Sequence, residues 1–119
     1  MKTEDEDNFV KSEMRKTMLK IHVLWRLTRS ETNAYTILKE ISGDKFAAGF
    51  YSDERELRDS LYNSMRSLER SGLVVSSPRV ENGRLKQYYQ ITEKGVRVLK
   101  SSVLELQKGV KDIEGLFGE

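Results

Sequence analysis

Ser60-Leu61-Tyr62-Asn63-Ser64-Met65-Arg66-Ser67-Leu68-Glu69-Arg70-Ser71-Gly72-Leu73-Val74-Val75 contains the change of period on which the fold turns. Up to Leu68 the apolar residues Leu57, Leu61, Met65 and Leu68 are spaced four, four and three, which stacks them on one stripe of an α-helix. Gly72 then stops the helix. Beyond it, Leu73-Val74-Val75-Ser76-Ser77 and Lys86-Gln87-Tyr88-Tyr89-Gln90-Ile91 are rich in β-formers and flank Pro78 and Asn82-Gly83. Asn-Gly suits a turn with positive φ at both central residues, so a hairpin is expected with its tip at 81–84. The start of the helix is open: Ser52, Asp59 and Ser60 are all candidate N-caps, and both a long and a short version fit.

Outward from this core, residues 14–28 carry Met14, Met18, Leu19, Ile21, Val23, Leu24, Trp25 and Leu27, a wide apolar surface that predicts a helix buried on more than one side. Trp25 is expected in the core, with the lining of a cavity between subunits as the other reading. Asn33 caps a short second helix with Ala34, Ile37, Leu38 and Ile41 on one face and Gly43 at its end. Residues 44–51 read as a connection. On the other side, Thr92 caps a last helix whose residues Val96, Leu99, Val103, Leu106, Val110, Ile113 and Phe117 alternate spacings of three and four. A helix of about 25 residues is nearly 40 Å long, more than a domain of this size covers with its own core. The seam therefore calls for a partner helix from a second copy, with Gly109 as a point where it can bend or be crossed closely.

Composition narrows the chemistry. The chain has 119 residues, a net charge of +2, one histidine and no cysteine. One domain is expected, without disulfides, thiolate chemistry or a cysteine metal site, and no cofactor is called for. His22 is read as structural or surface. There is no apolar run of membrane-spanning length and no secretory pattern at the N-terminus, which gives the expectation of a cytoplasmic, nucleoid-associated protein without membrane contact. Residues 55–100 hold ten Lys/Arg against five Asp/Glu, a local positive excess suited to phosphate. No phosphate-binding glycine motif or paired-carboxylate frame argues for an enzyme.

Three helices followed at once by a hairpin is the order of a winged helix-turn-helix, in which the third helix enters the major groove of DNA and the hairpin wing lies on backbone or minor groove. The fold expected is thus α+β and mainly helical: three helices plus a two-stranded β-wing, with a long C-terminal dimerisation helix. Its divisions are an acidic N-terminal tail and the start of helix 1 over 1–12, a winged-helix domain over 13–91, and the dimerisation helix over 92–117. Asp59, Asn63, Arg66, Ser67 and Arg70 fall away from the apolar stripe of helix 3. The expected duplex contacts are Asp59, Ser60, Tyr62, Asn63, Arg66, Ser67 and Arg70 on the helix and Arg79, Arg84 and Lys86 on the wing.

The stretch 60–74, followed by Tyr88-Tyr89-Gln90-Ile91-Thr92-Glu93-Lys94-Gly95, resembles the PadR-type winged-helix regulators. A leucine-tyrosine pair opens the recognition helix, a leucine-glutamate pair and a glycine close it, and an aromatic, threonine and glycine signature follows the wing. The resemblance covers residues 15–117. It implies a homodimer built through the C-terminal helix, bound to a palindromic operator, usually as a repressor. Two features depart from it: the connection 44–58 is longer than the short turn expected, and Arg58-Asp59 stand where small or glycine residues are usual. Only Phe117 places an aromatic on the C-terminal seam, so the resemblance implies no particular small-molecule effector.

Each candidate also has a plainer reading. Tyr62 suits a phosphate contact or a ring lying flat beside the core stripe. Asn63 and Arg66 suit adenine and guanine edges, or a solvated face with Arg66 paired to Glu69. Hairpin tips are charged in many proteins simply because they are wet. The competing function is a winged-helix protein-interaction module of a larger assembly, which uses the seam and wing without DNA specificity.

Overall fold

In the computed structural model, which describes residues 3–43, 51 and 53–118, Asn33 closes a two-residue strand and caps the helix that follows. The elements in chain order are α1 (Thr3–Leu27), β1 (Thr32–Asn33), α2 (Ala34–Ser42), α3 (Glu54–Arg70), β2 (Val74–Glu81), β3 (Arg84–Ile91) and α4 (Glu93–Phe117). The strands form one antiparallel sheet in the order β1-β3-β2. The hairpin is as expected, with Asn82 and Gly83 at φ of 51° and 75°. Strand β1 was not anticipated. It adds a third strand beside β3, pairing Thr32 with Tyr89 and Asn33 with Tyr88. Pro78 sits on β2, an outer strand, opposite Gln87.

Helix α1 begins at Thr3, well before the apolar stripe that opens at Met14, so residues 3–12 are helical. The start of α3 is settled in favour of the long version. Its cap is Asp53, whose side chain accepts the Glu56 amide at 2.7 Å. That corrects the candidates Asp59 and Ser60, which lie inside the helix; Ser52 lies outside the described residues, as does the connection 44–51 apart from Tyr51. At the other end, Leu73 N–H reaches the Leu68 carbonyl and Gly72 N–H the Glu69 carbonyl, each at 3.0 Å, with Gly72 at φ 74°. This double closure requires a left-handed residue, and it throws the chain straight into β2.

One core joins the elements. Leu19, Val23, Leu24 and Leu27 of α1 meet Ile37, Leu38 and Ile41 of α2, Leu57, Leu61, Met65 and Leu68 of α3, Val74 of β2 and Leu99 of α4. Burying a side chain of this size contributes about 1.5–3 kcal/mol, so the three amphipathic stripes suffice to fix the helices on one another. Arg26 and Glu40 tie α1 to α2 at 2.6 Å, and Lys39 lies 3.4 Å from Glu54, joining α2 to α3.

Trp25 departs from its expected place in the core. It is 52% exposed, with the Arg29 guanidinium 5.8 Å from its ring centroid and His22 edge-on at 5.9 Å. With Ile21 it faces Leu99, Val103 and Leu104 across an apolar groove between α1 and α4. Helix α4 leaves the core after Val103: Leu106, Val110, Ile113 and Phe117 are 41%, 46%, 53% and 85% exposed. The radius of gyration is 16.2 Å. A compact chain of this length has about 13.5 Å, and the projecting end of α4 contributes to the excess.

Candidate nucleic-acid interface

Helix α3 divides its surface between core and solvent. Leu57, Leu61, Ser64, Met65 and Leu68 are buried, while Asp59, Asn63, Arg66 and Arg70 form an exposed row at spacings of four, three and four. Tyr62 stands beside that row and is 39% exposed. Arg66 donates to the Asn63 side-chain oxygen, so the two candidate base readers share one hydrogen bond; the alternative pairing of Arg66 with Glu69 is not the one formed. Glu69 instead accepts from the Ser76 hydroxyl at 2.6 Å, binding the last turn of α3 to β2. Ser67 and Ser60 are half-buried, and the Tyr51 phenol donates to the Arg15 carbonyl at 3.4 Å. Burial pushes the Tyr51 phenol above its ordinary pKa.

The wing springs from the end of this helix. Ser76 on β2 lies opposite Tyr89 on β3, whose half-buried ring packs against the core. Burial raises the pKa of Tyr89, reinforced by Glu69 and Tyr62 and opposed by Arg66. Tyr89 therefore lies within electrostatic reach of Arg66 in the exposed row, a connection sequence reasoning missed. The period-two alternation of β3, which puts Tyr89 with Ile91 on the inner face, was the available signal.

Of the three wing cations expected to meet DNA, two have carboxylate partners. Arg79 forms an ion pair with Glu31 and lies 4.4 Å from the Tyr88 ring centroid. Lys86 Nζ is 3.6 Å from Glu81, which also accepts from the Tyr88 hydroxyl. That hydrogen bond holds the Tyr88 phenol above its ordinary pKa. Arg84, beside the turn, is exposed and has no ion pair among the described residues. Glu31 was not among the residues singled out from sequence.

The wing is anchored at its base by Thr92. Its hydroxyl donates to the Gly72 carbonyl at 2.8 Å and accepts the Gly95 amide at 3.0 Å, while its own amide reaches the Leu73 carbonyl. Lys94 adds a bond to the Ser71 carbonyl at 3.0 Å. The Thr92-Glu93-Lys94-Gly95 signature thus clamps the start of α4 onto the end of α3. Of the seam residues, only Leu99 is fully buried; Val96 and Val103 are half-buried and the rest exposed. Among the described residues no group of three or more His, Cys, Asp or Glu is placed to hold a metal, and no helix is long and apolar enough to cross a membrane.

Comparisons with known proteins agree with this geometry. The chain is 24% identical over 103 residues to a transcriptional regulator of Mycobacterium tuberculosis, covering 87% of this chain and 89% of that one. It superposes on a PadR family transcriptional regulator from Eggerthella lenta with a TM-score of 0.72 and 25% identity, over 97% of each chain. It is similar in fold to Bacillus subtilis PadR crystallised in complex with operator DNA, at a TM-score of 0.60 and 20% identity, over 72% of this chain and 46% of that one. Residues 23–101 match the profile of the Transcriptional regulator PadR-like family, from the end of α1 through the wing into α4, and the chain belongs to that family.

Proposed function

We propose that this protein is a sequence-specific regulator of transcription that binds a palindromic operator in double-stranded DNA as a homodimer, and that it acts as a repressor by competing with the transcription machinery. The observation that carries the reading is the exposed row Asp59, Asn63, Arg66 and Arg70 on α3, set opposite the buried stripe and held against the wing by Glu69 and Ser76. A helix that fills the major groove needs one polar face free along its length and a rigid mount on the other. In this reading Asn63 and Arg66 read base edges, Tyr62 and Arg70 meet phosphates, and the basic wing rests on the backbone.

The exposed a/d seam of α4 supports the dimer. Leu106, Val110, Ile113 and Phe117 continue a heptad pattern beyond the core, and the groove beside Trp25 offers a further apolar surface next to it. Two copies joined through this helix present two α3 helices, and a two-fold operator with half-sites about 34 Å apart matches that symmetry.

Light scattering of the purified protein, followed by anisotropy titration of a labelled random-sequence duplex at about 50 and 200 mM salt, tests the reading. A dimer mass and affinity that falls steeply with salt support it. A stable oligomer that binds no duplex at either salt favours the protein-interaction module instead.

A further inference from the structure

The hairpin places two cations face to face. Arg79 on β2 is the register partner of Lys86 on β3, and Glu81 is the partner of Arg84. Alternation puts Arg79, Glu81, Arg84, Lys86 and Tyr88 on one face of the ribbon. Like charges directly opposite each other on an antiparallel pair are destabilising, so a bare Arg79 and Lys86 would weaken the wing.

The structure relieves that repulsion by giving each of the two cations a carboxylate of its own. Arg79 turns toward the body of the protein, where Glu31, just before β1, takes its guanidinium. Its guanidinium carbon also lies over the ring of Tyr88, the residue that pairs β3 with Asn33 of β1. Lys86 turns toward the tip, where Glu81 holds it and the Tyr88 hydroxyl together. The result is one chain of contacts, Glu31 to Arg79 to Tyr88 to Glu81 to Lys86, that runs from β1 to the end of the wing. Arg84 stands outside it, exposed and beside the turn.

We infer that Arg84 is the wing's phosphate ligand, and that Arg79 and Lys86 are positioning residues, neutralised by Glu31 and Glu81, which fix the wing's angle and hold down its affinity for non-cognate DNA. This rests on the DNA-binding reading. Its physical basis is charge: three cations and two carboxylates leave one uncompensated positive charge on each wing. Removing a carboxylate frees a cation to seek phosphate, which raises affinity for every sequence alike, non-cognate DNA included.

The slope of log affinity against log salt counts phosphate contacts, at about 0.9 for each one. On a random-sequence duplex, Arg84→Ala is expected to flatten the slope by about 0.9 per bound copy. Replacing the Arg79–Glu31 pair together, by Arg79→Gln with Glu31→Gln, is expected to leave the slope unchanged while weakening binding at every salt, because the brace is lost without change in net charge. Glu31→Gln with Glu81→Gln is expected to steepen the slope by about 0.9 to 1.8 per copy and to tighten non-cognate binding. This last variant removes no volume, so it reads the charge even where a variant at Arg79 disturbs the wing. A slope flattened equally by the Arg79–Glu31 replacement and by Arg84→Ala overturns the inference, as does an unchanged slope in the Glu31 and Glu81 variant. Absence of any wild-type binding overturns the DNA-binding reading itself, which separates the two failures.

Discussion

A Cβ on Gly95 would lie 2.2 Å from the carbonyl oxygen of Leu73 and 2.7 Å from Cγ1 of Ile91. The first turn of α4 therefore presses on the link between α3 and β2 with no room for a side chain. Gly95→Ala forces backbone apart at the point where helix, wing and final helix meet. The expected loss is about 1–3 kcal/mol or more of folding stability, measured by urea denaturation. A variant as stable as the wild type would contradict this close approach.

The cap of α3 gives a second prediction. Asp53 accepts the Glu56 amide, so Asp53→Ala is expected to lose about 1 kcal/mol. Asp59→Ala, in the middle of the helix and exposed, is expected to change stability by less than about 0.5 kcal/mol. The reverse order in thermal melts would restore the shorter helix.

Arg66→Ala separates base reading from simple attraction. If Arg66 contacts a base, the variant weakens the preferred operator by about 1–3 kcal/mol and leaves random-sequence binding nearly intact. Competition titrations check this, and an equal loss on both duplexes would assign Arg66 to phosphate.

On α4, Val110→Asp and Ile113→Asp place carboxylates in the exposed apolar seam. Both side chains are about half exposed in one copy, so the single-copy fold has space for the change. Desolvating a charge at a helix pairing is costly, and light scattering is expected to show the mass falling from dimer to monomer with the circular dichroism of the core retained. An unchanged mass would move the interface away from the seam.

What the sequence revealed and what it hid follow from the range of the interactions. The Gly72 stop, the Asn82-Gly83 turn and the Thr92 cap are local devices, and each acts where its residue type predicts. Asp53 was also local but was passed over: Asp53 and Glu56 have the spacing of a capping box, whose signal lay one turn ahead of the apolar stripe. Strand β1 was beyond reach, since two residues carry no period and pair only because β3 lies beside them. Glu31 and Arg79 are 48 residues apart, and no short pattern announces such a pair. Trp25 was misplaced because an apolar helix shows which residues avoid water but not how many of its sides one copy covers.

Selection of bound sequences from a pool of random duplex DNA, with the purified protein, tests the central claim most directly. The account predicts enrichment of a two-fold symmetric motif with half-sites about one helical turn apart, bound by a dimer. A pool that enriches no motif, or an asymmetric one bound by a monomer, would contradict it.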